Sequence, residues 1–148
     1  MKLHIELQTP TIELPVKAKD ASKKSASCIA GFKRHKSKES QELLARYMDT
    51  INSNPNNLEP LLDIIKDELV YFKKVPLLLE DNNGKVNKLV IEDTRKESNR
   101  ADLWEDKEEC FSIIRDLLLS SSCWQLPLIT AAQHAASNID SEELQVKN

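Results

Sequence analysis

Glycine is nearly missing from this chain of 148 residues, which holds only Gly31 and Gly84. Two isolated glycines cannot build a phosphate-cradling loop, so nucleotide hydrolysis by the usual designs is excluded. Cysteine is scarce too. Cys28, Cys110 and Cys123 are odd in number, far apart and without a CxxC pair, which argues against a disulfide framework or a zinc site. The three histidines, His4, His35 and His134, have no His, Cys or carboxylate at a helical ligand spacing beyond ordinary surface neighbours. Cys123 with His134 stays open as a nucleophile pair, although no activating motif surrounds either residue. Aromatics make up 5%, leaving seven large rings to anchor a core. No apolar run approaches the roughly 18 residues of a membrane span, and the N-terminus MKLHIELQTPTIELPVK alternates instead of forming a hydrophobic leader. These absences lead to the expectation of a soluble cytoplasmic protein, not an enzyme, without cofactor, metal or membrane partner.

What the chain does have is charge, unevenly placed. Residues 17 to 38 hold Lys17, Lys19, Lys23, Lys24, Lys33, Arg34, Lys36 and Lys38 against Asp20 alone, a balance of +7. The formal total of −3 leaves −10 for the rest. Such a run can be a solvated loop, can steer a partner, or can contact nucleic-acid phosphates, though it carries one aromatic, Phe32, and no base-reading pattern.

The apolar spacing predicts an α+β fold in a single domain, 1–148, mainly helical with about four helices. Leu3, Ile5 and Leu7, then Ile12, Leu14 and Val16, alternate around Thr9-Pro10, predicting an N-terminal β-hairpin. Residues 17–27 are small and cationic, predicting a mobile loop. Cys28 to Phe32 reads as a further strand, and Ser37 as the N-cap of a helix carrying Leu43, Leu44, Tyr47, Met48 and Ile51 and ending near Asn54-Pro55. A second helix is expected to start at Asn54 or Asn57, with Leu58, Leu61, Ile65, Leu69 and Phe72 on its stripe. Val75 to Leu79 and Val86 to Ile91 flank Asn83-Gly84, a strong hairpin signal. A two-residue loop there would pair Leu78 with Leu89 and Leu77 with Val90.

The stretch from Asp93 to Asn138 organises the remainder. Asp106 and Glu109 have capping-box spacing and open a third helix whose stripe is Phe111, Ile114, Leu117 and Leu118. After Ser120-Ser121-Ser122 comes a fourth, with Pro127 in its first turn, Gln125 or a serine as its cap, and Leu126, Ile129, Ala132 and Ala136 as its stripe. Residues 139–148 are acidic and expected to fray. Trp104 and Trp124 stand at the two helix entrances, where each is either a core anchor or an interface anchor.

Residues 64 to 138 carry a diffuse pattern: IIKDELVYFKKVPLLLEDNNGKVNKLVIEDTR, then LWEDKEECFSIIRDLLLSSSCW, then LITAAQHAASN. Earlier, FKRHKSKESQELL supplies a strand-to-helix entry. In these segments the chain resembles the tail assembly chaperones of long-tailed bacteriophages and their prophage relatives. The resemblance implies a non-enzymatic assembly factor in the cytoplasm of a bacterial host, absent from the finished virion. Its partners would be the tape measure protein and the tail tube protein. Many such chaperones are made in two lengths by a programmed frameshift. No catalytic residues come with the resemblance. Lys33, Arg34, Lys36, Trp104 and Trp124 are the candidate partner-binding residues. The alternative is a small nucleic-acid-associated phage or bacterial protein that uses residues 17–38.

Overall fold

A computed structural model describes residues 1, 10 to 97 and 99 to 147, with side chains as far as Ser137. The chain is α+β, and its described residues form four helices and a four-stranded antiparallel sheet in the order β1-β2-β3-β4. The elements are β1 (Thr11–Lys19), β2 (Ser25–Lys33), α1 (Ser37–Ser53), α2 (Glu59–Glu68), β3 (Leu69–Glu80), β4 (Val86–Asp93), α3 (Lys107–Ser120) and α4 (Ser122–Lys147).

An N-terminal hairpin is present, made by β1 and β2. The strand proposed at Leu3 to Leu7 falls outside the described residues, and Ile12, Leu14 and Val16 pair forward with β2, Ile12 with Phe32 and Val16 with Cys28. Residues 17–27, expected to be a loop, are instead the ends of two strands around a tight turn: Lys17 pairs with Ser27 and Lys19 with Ser25. Composition misled here because the ladder satisfies the backbone whatever the side chains are, and one small residue, Ala18, suffices to meet the core.

The turn itself has a specific chemistry. The Asp20 N–H donates to the Lys24 carbonyl and the Lys23 N–H to the Asp20 carbonyl, while the Asp20 carboxylate accepts from the backbone of Ser22 and Lys24. Lys23 occupies the left-handed region at φ 68°. The second hairpin repeats this arrangement atom for atom. Asp81 N–H donates to the Lys85 carbonyl, Gly84 N–H to the Asp81 carbonyl, and the Asp81 carboxylate accepts from Asn83 and Lys85. Gly84 takes the left-handed position at φ 81°. Both are three-residue loops of the kind in which a left-handed residue follows a type I turn.

That loop length corrects the expected register. Leu77 pairs with Leu89 and Leu78 with Lys88, one residue away from the pairing a two-residue loop would give. The strand also starts sooner than expected. α2 stops at Glu68, and Leu69 and Phe72, assigned to its stripe, belong to β3, where Leu69 pairs with Phe32 and Phe72 with Ala30. The run Leu69-Val70-Tyr71-Phe72 is β-branched and aromatic, and sheet pairing prevails over the helical spacing.

Helix starts follow local rules with two exceptions. Asn57, one residue before the N-cap Leu58 of α2, accepts from the Glu59 N–H, and Asp106 caps α3 by accepting from the Glu109 N–H at 2.8 Å. Ser37, however, is the first residue of α1, and Lys36 holds the cap position without a side-chain bond. α4 opens at Ser122, five residues before Pro127, which therefore lies inside the helix. Its missing N–H leaves the Cys123 carbonyl without the usual intrahelical donor.

The core lies between one sheet face and the helices. Ile12, Val16, Cys28, Ala30, Phe32 and Phe72 meet α4 through Leu128, Ile129, Ala132 and Ala136, and α3 through Ile114 and Leu118. Phe72 and Phe111 stack with ring centroids 5.7 Å apart. α4 lies against β1 and β2, α2 and α3 against β3, and α1 rests on α2 and α4, burying Tyr47. The small residues Ala131, Ala132, Ala135 and Ala136 let α4 approach its neighbours closely. Four positions of the expected stripes are turned outward: Met48 is 53% exposed, Leu58 38%, Leu117 54% and Leu126 63%. The tail from 139, expected to fray, lies beyond the described side chains.

Candidate partner-binding surfaces

The hairpin separates the cationic run into two groups. Lys17, Lys19, Lys23 and Lys24 gather around the turn end of β1 and β2, whereas Lys33, Arg34, Lys36 and Lys38 stand at the other end, where β2 leads into α1. Eight residues of β2, Ser25 to Phe32, lie between Lys24 and Lys33, and the strand spans about 26 Å at 3.3 Å per residue. A segment that is continuous in sequence is thus not one continuous basic face, and the phosphates of a single nucleic-acid backbone would meet two separate patches.

Around Lys33, Arg34 and Lys36 the backbone is anchored. The Arg34 N–H donates to the Pro10 carbonyl at 2.9 Å, and His35 contacts Glu68 at the end of α2 through Nε2 and Glu39 through Nδ1. Lys33 and Lys36 are exposed. The two tryptophans differ. Trp104 is 4% exposed and belongs to the core, with an indole N–H that finds no acceptor among the described residues. Trp124 is half-buried in the first turn of α4, so part of its ring remains available.

A side-chain cluster that sequence reasoning missed joins three strands. Tyr71 on β3 donates its hydroxyl to the Glu13 carboxylate on β1 at 2.7 Å, and Lys73 reaches the same carboxylate at 2.6 Å. β2 lies between, and the reach is possible because Gly31, paired with both Glu13 and Tyr71, leaves the space a side chain would fill. Arg95 caps the Tyr71 ring with its guanidinium 3.8 Å from the centroid, and Asp93 holds that guanidinium by two bonds of 3.0 and 2.7 Å. Lys73 and the Tyr71 hydroxyl keep Glu13 below its ordinary range, Arg95 does the same for Asp93, and burial pushes Tyr71 up. None of the three is tuned toward neutrality as a general acid or base would be. The cluster fastens edge strand β1 to β3.

An apolar surface follows α4. Leu14 and Pro15 of β1, with Leu126, Pro127, Thr130 and Ala131 of α4, line a groove, and a neighbouring depression adds Lys17, Lys19 and Cys123 near the turn end of the first hairpin. The rim is cationic and the floor apolar, a surface suited to an extended or helical segment carrying acidic flanks.

Chemistry elsewhere is sparse. Burial pushes the Cys28 thiol up to about 12 and, with Glu97 adding to it, the Cys110 thiol up to about 11, so neither forms the thiolate that nucleophilic attack requires. Cys123 and His134 sit on the same helix eleven residues apart, about 16 Å along its axis, which removes them as a nucleophile pair. Among the described residues no group of three His, Cys, Asp or Glu could hold a metal ion, and no helix is long and apolar enough to cross a membrane. No family model, no curated protein and no solved structure matches this chain.

Proposed function

We propose that this chain is a tail assembly chaperone of a long-tailed phage or prophage, a non-enzymatic factor that holds the tape measure protein and helps bring tail tube subunits to it. The reading rests on the resemblance of residues 64 to 138. The observation that carries it further is the apolar surface of α4, where Leu126 stands 63% exposed at the groove between α4 and β1. A client of this kind is long and helical, with apolar stripes unsatisfied until the tube encloses them, and an apolar groove takes such a stripe. Lys33, Arg34 and Lys36, at the opposite end of β2, would act on the rate of encounter more than on the contact itself. The nucleic-acid alternative loses ground because its eight cations form two patches.

Co-expression with the tape measure protein tests the proposal. We expect the client's soluble fraction to rise, and Leu126→Glu to abolish that rise while the chain stays folded by circular dichroism. Charge reversal at Lys33, Arg34 and Lys36 should slow association more than it speeds dissociation. A client equally insoluble with and without the folded chain would refute the reading. Submicromolar binding to duplex DNA at about 150 mM salt would favour the alternative.

A further inference from the structure

The two sheet edges are guarded differently. β1 carries Pro15 at mid-strand, which has no N–H to offer a further strand and so blunts that side. β4 has no proline, and no strand among the described residues lies beyond it. Its inner row, Leu89, Ile91 and Asp93, turns toward the protein, and its outer row, Val86, Lys88, Val90 and Glu92, is exposed, with Val86 at 52% and Val90 at 51%. Pro76 and Leu78, the latter 72% exposed, extend the apolar strip onto β3 next to Val90 and Lys88.

The outer row is complementary to itself. When two copies of β4 run antiparallel with Val90 opposite Val90, Lys88 of each copy faces Glu92 of the other. Two opposite-charge pairs then flank an apolar centre, and the inner rows match as well, Leu89 with Ile91. Centring the axis one residue away, on Leu89 or Ile91, sets a charge against Val90 instead, and centring it between residues would bring inner and outer rows together. One register therefore satisfies charge, face and backbone at once. We propose that β4 is a homodimerisation edge, pairing with a second copy of this chain about a two-fold axis at Val90 and joining two four-stranded sheets. The symmetry closes the assembly at two copies. In this arrangement Lys88, which on a free edge discourages pairing, has a partner.

Sedimentation velocity on the full chain over a concentration series provides the test, with circular dichroism to confirm folding. The unaltered protein is expected to pass from monomer to dimer. Lys88→Glu and Glu92→Lys each turn two attractive cross-strand pairs into repulsive ones and should raise the dissociation constant about tenfold or more. The double variant K88E/E92K restores both pairs and should return the constant to within about threefold of the original. All four residues of the outer row are exposed, so these changes leave the core intact. A chain that stays monomeric at about 100 μM, one that assembles beyond a dimer, or a double variant no better than the single ones would overturn the proposal.

Discussion

The ring of Tyr71 lies across Gly31 so closely that a Cβ on the glycine would fall 2.5 Å from Cε1 and Cζ. Real side-chain contacts do not reach that distance, so Gly31→Ala must lift the tyrosine and with it the bonds to Glu13 and the stacked Arg95. We expect a loss of about 1–3 kcal/mol in urea unfolding, the range of overpacked sites. A loss below about 0.5 kcal/mol, typical of ordinary surface changes, would mean the ring does not occupy that position in solution.

The paired turns offer an internal comparison. Lys23 and Gly84 occupy equivalent left-handed positions, one with a side chain and one without. A side chain costs about 1–2 kcal/mol there, so Gly84→Lys should destabilise by about that amount. Lys23→Gly should stabilise by less, about 0.5–1 kcal/mol, because glycine also loosens the unfolded chain. Equal and negligible effects in thermal unfolding would contradict the turn geometry.

On α3 the apolar residues divide into two classes. Ile114 is fully buried while Leu117 is half-exposed. Ile114→Ala is expected to cost about 2–5 kcal/mol and Leu117→Ala less than about 0.5 kcal/mol. Denaturant midpoints decide the matter, and a reversed order would place the other side of the helix in the core.

Acid should loosen the strand-fastening cluster. Glu13 is held below its ordinary range by Lys73 first and Tyr71 next, and Asp93 by Arg95. The unfolded chain takes up these protons near about pH 4, earlier than the folded one does. The stabilisation is therefore complete above the unfolded values and disappears as the pH falls through the lower folded values. Urea midpoints followed from about pH 6 down to about pH 2.5 should drop, and less steeply in Glu13→Gln and Asp93→Asn. Unchanged slopes in both variants would count against the cluster.

Much of the fold can be read from the sequence wherever its determinants are local. The Asp106 cap, the Asn83-Gly84 turn and the helix break at Asn54 all depend on residues within five positions of each other. The register of the second hairpin was missed because one extra loop residue reverses every pairing while leaving the apolar pattern unchanged. The Glu13–Tyr71 bond spans 58 residues and depends on an intervening glycine, a relation no window of sequence contains. The candidate site is the least legible part. A run of eight cations looks like one feature until a hairpin sends its halves to opposite ends, and the helical spacing of Leu117 and Leu126 does not reveal which side of each stripe the sheet will cover.

The two hairpins differ in another way from the seam that joins them. β1 and β2 share nine residue pairs and β3 and β4 seven, but β2 and β3 share four, with a register shift between Gly31 and Phe32. Each hairpin closes over a three-residue loop, a microsecond event, while the seam must bring together strands separated by α1 and α2. Folding speed should thus be set at the seam. We expect truncation of Phe32 or Phe72 to slow refolding in stopped-flow measurements, and changes at the distal hairpin, such as Leu79→Ala, to act mainly on unfolding. In the native protein the Glu13 bonds to Tyr71 and Lys73 span this same seam, so side chains tie the two hairpins together where the ladder has the fewest pairs.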